Sequence, residues 1–309
     1  MIYDRVLTDI KKNKQVKDEG GIIAIPWSKQ FPRLSKVLPG VRKGQYTIIT
    51  SGTKESKTQL TDSLYVYQPL DWLLNNPEVD IDYKVIYFSL ELSKEMKILQ
   101  ATCYRLYTKY GILINPDHLQ SVFEGYTVEE EILTILESEE FIKWMNFFES
   151  KVEIIDSVRH PSGISIKVEQ YAKENGVSHY AEVDDWENPG KKRKVFDYYE
   201  PNNPNQIVVP IVDHASLMSE RGKSVYECIK TLSSDYFIKF KNRYGYSPVL
   251  VQQQSSDSTK QQFTNRGDTV LDKVRPDREG LANCKDTAMD RQQIIYNLHI
   301  IKILHIFVR

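Results

Sequence analysis

Apolar and polar positions along the chain follow two alternating periods. Short continuous runs of β-branched and aromatic residues occur five times: "YTIIT" (46–50), "YKVIYFSLEL" (83–92), "VEIIDS" (152–157), "QIVVPIVDH" (206–214) and "SPVLVQQQ" (247–254). Runs of this kind, without polar alternation, read as strands buried on both faces. Between them the period lengthens to that of a helix. The pattern predicts helices from about Lys57 to Tyr67, from Lys94 to Tyr110, within "SIKVEQYAKENG" (165–176) and along "VYECIKTLSSDYFIKFKNRYG" (225–245), the last two stopped by glycine. Strands alternating with helices imply a mostly parallel sheet covered on both faces, in one α/β domain rather than two.

Two segments stand outside this alternation. Residues 2–13 predict a short amphipathic helix with Ile2, Val6, Leu7 and Ile10 on one side, followed by a Gly20–Gly21 break. That helix could pack on its own domain or on a neighbour. Between 179 and 199, "HYAEVDDWENPGKKRKVFDYY" reads as two aromatic strands around Asn188–Pro189–Gly190, a β-hairpin inserted before the fourth sheet strand. Lys191 to Lys194 give it a basic tip, which fits either a solvated turn or a phosphate-backbone contact.

Composition narrows the picture further. The chain has 309 residues, 40% hydrophobic and 27% charged, with a formal net charge of −1. No global basic field points to nucleic acid, so any such site is local. Cys103, Cys228 and Cys284 are too far apart for a metal-binding pattern and read as free thiols of a reducing compartment. No apolar run approaches the roughly 18 residues of a membrane span, and "MIYDRVLTDIKKNK" is too charged for a signal peptide. The expectation is a cytoplasmic protein with no membrane partner.

The chemistry concentrates at the ends of strands. "TIITSGTKESKTQL" (47–60) runs strand, small-residue turn, then Lys57–Thr58 opening a helix, the outline of a phosphate-binding loop. The pattern G-x-x-x-x-G-K-[ST] asks for glycine where Ser51 and Ser56 stand. Lys57 and Thr58, whose side chains would meet β/γ-phosphate and Mg²⁺, are both present. Ser51, Gly52, Thr53, Lys54, Glu55, Ser56, Lys57 and Thr58 therefore form the candidate ATP-binding loop. Asp213 ends the strand "VVPIVD", where a carboxylate can hold Mg²⁺ or its water shell. Glu91 follows "VIYFSL", where it could orient and deprotonate a water. Singly, each acid reads as a helix cap or a solvated loop residue; together, at the ends of parallel strands, they mark a site.

These segments resemble the ATPase domain of DnaB-type replicative helicases, a RecA-like P-loop NTPase fold. "IPWSKQFPRLSKVLPGVRKGQYTIIT" (25–50) is similar to the lead-in to that domain, and "YFSLELSKEM" to the segment carrying its catalytic glutamate. "VPIVDHASLM" resembles its metal-binding strand, "SPVLVQQQSS" the strand ending in a γ-phosphate-sensing glutamine, "DSVRHPSGISI" its third strand-to-helix link, and "VRPDREGLANCKDTAMDRQQIIYNL" its late segment. The resemblance covers about residues 22 to 298. It implies catalytic roles for Glu91, Lys57 and Gln254, Mg²⁺ coordination by Thr58 and Asp213, and ATP and Mg²⁺ as cofactors. It also implies single-stranded DNA, replication proteins and further copies of the chain (a hexamer in the family) as partners.

The family's DNA-binding loops correspond to "SERGKSV" (219–225) and "SSDSTKQQFTNRGD" (255–268), which makes Arg221, Lys223, Lys260 and Arg266 candidate phosphate contacts. In this scheme residues 1–20 are a linker helix and 21–309 the ATPase domain, with the hairpin at 179–200 inserted. The family's primase-binding domain has no counterpart, and its trans-acting basic finger would follow where the chain ends in "HIIKILHIFVR". The expectation is a compact, phage-like and truncated relative. A nucleotide-binding but catalytically weak structural or regulatory relative is the alternative, favoured by Ser56 and the missing finger. A small-molecule kinase fits less well, because no arginine-rich lid helix is present.

Overall fold

The computed structural model describes residues 2–19, 21–27, 31–52, 56–188, 190–254, 287 and 293–296. Six strands form one sheet: β1 (Thr47–Ser51), β2 (Asp82–Ser89), β3 (Val152–Ile155), β6 (Gln206–Asp213), β7 (Val249–Gln253) and β8 (Gln293–Tyr296). Their spatial order is β3-β2-β6-β7-β1-β8, and every neighbouring pair is parallel. The five strands expected from the apolar runs are all present, and β8 is added at the edge beside β1.

The sheet separates two cores, as alternation of side chains across a strand requires. Ile49, Val85, Tyr87, Val209, Ile211, Val249 and Val251 face one side, against Leu60, Leu64, Ala101, Trp144 and Phe148. Ile48, Ile86, Phe88, Val208, Val212 and Leu250 face the other, against Ile164, Val168, Ile229, Leu232 and Phe237. Each Val, Leu, Ile or Phe among them contributes about 1.5–3 kcal/mol by burial. Both faces are covered, so the strands carry no polar alternation.

Helix Lys94–Tyr110 occupies the residues its pattern predicts, between a Ser93 cap that accepts from the Met96 N–H and Gly111 at φ 73°. The helix after the loop runs further than expected. It begins as Lys57–Asp62, widens into a π-helical segment at Ser63–Tyr67 and continues as Gln68–Asn75. Two carbonyls of the π segment accept from side chains: Leu64 from Trp27 Nε1 at 3.0 Å and Tyr65 from the Tyr83 hydroxyl at 2.6 Å. A second π segment, Thr231–Phe237, interrupts the helix between Val225 and Tyr244. Helices Pro116–Leu119, Glu130–Leu136 and Glu139–Lys151, which the strand pattern did not announce, close a small third core around Leu106, Leu119, Ile132 and Phe141.

Upstream of β1, the Ile25–Val41 bridge holds the chain against the body, and Gly40 (φ 110°) is required there: a Cβ would lie 2.0 Å from the Ile25 carbonyl oxygen. The first helix spans Ile2–Asp18, longer than the expected 2–13, and leaves Tyr3, Val6 and Ile10 exposed. The hairpin is β4 (Gly176–Asp184) with β5 (Lys192–Pro201), antiparallel, starting three residues earlier than the sequence pattern indicates. Tyr199 ties its base to the body by donating to the Ala172 carbonyl at 2.9 Å. Among the described residues, no helix is long and apolar enough to cross a membrane.

Candidate nucleotide site at the strand ends

The C-terminal ends of β2, β6, β7 and β1 lie side by side, and the candidate residues follow from that order. Ser89 pairs with Asp213, and the Leu90 N–H donates to the Asp213 carbonyl at 2.7 Å, so Glu91 emerges next to the end of β6. Ser51 pairs with Gln253, and the Gln254 N–H donates to the Ser51 carbonyl at 2.9 Å, which sets Gln254 against the start of the loop. The sheet thus brings Ser51, Gly52, Glu91, Asp213 and Gln254 to one edge, where open parallel sheets bind ligands.

Within the loop, Lys57 is buried and its Nζ donates to the Gly52 carbonyl at 2.9 Å. Ser56 takes φ 57°, ψ 32°, the left-handed region that the phosphate-loop pattern normally gives to glycine. The backbone bend is therefore present despite the serine. Thr58 is half-buried in the first turn beyond it. Thr53, Lys54 and Glu55 lie outside the described residues.

Asp213 is 3% exposed at the last position of β6. Its Oδ2 accepts from the Tyr87 hydroxyl at 2.8 Å, while Oδ1 is buried with no hydrogen-bond partner. A buried carboxylate oxygen without a donor is costly unless a cation or water meets it. Hard divalent ions such as Mg²⁺ take oxygen ligands of this kind, often one or two carboxylates plus water and phosphate. The unpartnered Oδ1 of Asp213 is an oxygen of the kind such an ion takes. Among the described residues, no group of three or more His, Cys, Asp or Glu residues could hold a metal ion.

Glu91 is half exposed, and its Oε2 lies 3.6 Å from His214 Nε2. His214 Nδ1 is buried without a partner, and the Asp213–His214 peptide is cis. Sequence reasoning had no reason to single out His214; its place next to Asp213 was the available signal. It also passed over Asp62, Tyr87 and Lys97. Lys97 Nζ donates to both Asp62 oxygens (2.8 and 2.7 Å) and to the Tyr87 hydroxyl (3.0 Å). Burial pushes the Asp62 carboxyl above its ordinary range, against the opposing pull of the Lys97 ammonium. Burial, then the neighbouring carboxylates, pushes the Tyr87 hydroxyl far up, so it stays protonated and able to donate. The spacing Lys97, Ala101, Tyr104 on one helix face was the sign that this lysine points inward.

No family model matches the chain, and no curated protein matches it. A solved structure of a DnaB-like replicative helicase, described with its interactions with primase, is similar with TM-score 0.58 and 16% identity, over 95% of this chain and 55% of that one. The chain shares that structure's fold, a RecA-like α/β sheet with a separate antiparallel hairpin. It spans about half the length of that helicase chain.

The remaining candidates of the DnaB-type reading fall elsewhere. Arg221 and Lys223 are exposed in the turn after β6, where Lys223 pairs with Glu220 at 3.1 Å; that hydrogen bond raises the Lys223 pKa. Lys260, Arg266, Cys284 and the tail 299–309 lie outside the described residues. The hairpin register sets Glu182 opposite Lys194 and Asp184 opposite Lys192, so carboxylates face the basic tip across the ladder. A cavity of about 410 Å³ between the helix after the loop and helix Lys94–Tyr110 is lined by Gln59, Tyr67, Met96, Cys103 and Tyr107, but by none of Lys57, Glu91, Asp213 or Gln254. Burial pushes the Cys103 thiol there up to about 12, which leaves it protonated and unreactive.

Proposed function

We propose that this chain is the ATP-hydrolysing motor domain of a DnaB-type replicative helicase, binding ATP·Mg²⁺ and single-stranded DNA. The buried, unpartnered Oδ1 of Asp213, set between the strand leading to Glu91 and the strand leading to Gln254, carries this reading.

In it, the backbone N–H groups of residues 51–58 cradle the phosphates and Lys57 leaves the Gly52 carbonyl to bind the β/γ-phosphates. Magnesium, when bound, neutralises charge on the transferring phosphoryl group. Thr58 and Asp213 would hold it. Glu91 accepts a proton from the attacking water, and Gln254 senses the γ-phosphate from the end of β7. Arg221, Lys223, Lys260 and Arg266 contribute phosphate contacts to DNA, as low-specificity positive charges. Residues 1–20 act as a linker helix and 21–309 as the ATPase domain, with further copies of the chain and other replication proteins as partners in the cytoplasm.

The test is ATP hydrolysis by the purified chain with and without single-stranded DNA, with Lys57→Ala as control. DNA-stimulated hydrolysis that disappears in the variant supports the motor. Nucleotide binding without turnover would favour the structural or regulatory alternative.

A further inference from the structure

Behind Asp213 the fold buries three polar side chains that the chemistry above leaves without a role. Asp62, Tyr87 and Lys97 are 4%, 1% and 5% exposed. They come from three elements: Asp62 from the helix opened by Lys57, Tyr87 from β2, and Lys97 from the helix that follows Glu91.

Donor counting fixes the direction of the lysine's bonds, and geometry gives the tyrosine's. A lysine ammonium has three donors and no acceptor, and a tyrosine hydroxyl has one proton. Lys97 gives its donors to Asp62 Oδ1, Asp62 Oδ2 and the Tyr87 oxygen. The Tyr87 proton cannot return to Lys97, so it goes to Asp213 Oδ2 at 2.8 Å. The relay therefore ends on one oxygen of Asp213 and leaves Oδ1 as the oxygen without a donor. Its charges do not balance: one cation stands against the two carboxylates of Asp62 and Asp213, and that cation is held bidentate by Asp62. A buried carboxylate supported only by a neutral hydroxyl favours a further positive charge.

We infer that Tyr87, backed by the Lys97–Asp62 pair, is the positioning residue that holds Asp213 so that Oδ1 is presented to a divalent cation. This rests on the reading of Asp213 as the cation acceptor. The same relay ties the helix carrying Lys57 and the helix behind Glu91 to that carboxylate, so the three parts of the site share one buried support. Partners that orient a metal-binding carboxylate typically govern affinity by 10–100-fold.

The experiment compares the full chain with Tyr87→Phe, which removes only the hydroxyl. ATP binding is titrated calorimetrically in EDTA and then across a Mg²⁺ series, with thermal melting as the fold control. The expected result is unchanged affinity in EDTA and a Mg²⁺ midpoint raised about 10-fold or more in the variant. A merely structural tyrosine would shift melting and leave the Mg²⁺ midpoint where it is; that outcome overturns the inference alone. A wild-type chain whose nucleotide binding ignores Mg²⁺ overturns the reading of Asp213 and the inference with it. If Tyr87→Phe does not fold, the double variant Asp62→Leu/Lys97→Met removes the backing pair without stranding a charge. A raised midpoint there supports the relay, and an unchanged one overturns it.

Discussion

Lys57 Nζ, from the first position of its helix, donates to the Gly52 carbonyl just beyond β1 at 2.9 Å. On the proposed reading, giving up that bond is part of phosphate binding. Lys57→Ala is expected to abolish stabilisation of the chain by ATP while melting within a few degrees of wild type without nucleotide. Differential scanning fluorimetry with and without ATP reads both quantities, and stabilisation surviving in the variant would remove Lys57 from the site.

Ser56 tests the loop differently. A non-glycine residue in the left-handed region costs about 1–2 kcal/mol. Glycine would relieve that cost but add roughly 0.5–1 kcal/mol of unfolded-state entropy. Ser56→Gly should therefore stabilise the fold by up to about 1.5 kcal/mol and leave ATP binding intact, because the bend is already present at φ 57°. Denaturant unfolding checks the first part, and a loss of stability would show that the serine side chain holds the loop.

Glu91→Gln removes a half-exposed carboxylate and uncovers no buried group. Stability should change by no more than about 0.5 kcal/mol. Hydrolysis should fall by about 10²–10⁴, the usual consequence of losing a placed base. ATP affinity should persist. Normal turnover with failed binding would make Glu91 a structural residue.

The Lys97 and Asp62 side chains are both buried, and their charged groups lie 2.7 Å apart. Removing one partner strands a buried charge, so Lys97→Met should cost about 3–5 kcal/mol, whereas the Asp62→Leu/Lys97→Met pair should come close to neutral. Urea denaturation of the wild-type chain, the single variant and the double variant decides this. A double variant as unstable as the single would mean the pair supports the fold through more than its charge.

At the hairpin, Lys192 and Lys194 face Asp184 and Glu182 across the strands. Their charge is offset locally, so Lys192→Ala/Lys194→Ala should leave single-stranded DNA affinity within about two-fold and its salt slope unchanged. A lysine that neutralised a DNA phosphate would, on removal, lower that slope by about 0.7. A measurable fall in the slope would restore the tip as a DNA-binding element.

The strands and their burial were legible because a strand covered on both faces needs apolar residues at every position, a demand visible locally in "IVVPIVD" and "VIYFS". Helix Lys94–Tyr110 was legible to the residue, since Ser93 and Gly111 supply its cap and stop. The candidate residues Lys57, Glu91 and Asp213 could be singled out because strand ends are where open parallel sheets place ligand chemistry. The π segments could not, because the first of them meets Trp27 and Tyr83, which arrive from distant sequence to reach the Leu64 and Tyr65 carbonyls. The helices between Pro116 and Lys151 likewise owe their place to a small core shared with Leu106. Sequence alone determined which residues could be buried and where chain direction changes, since those follow from local period and turn chemistry. Only the tertiary structure decided that Asp62, Tyr87 and Lys97 converge behind Asp213, because that relay links positions 62, 87, 97 and 213 through sheet order, and no local pattern encodes which strand lies beside which.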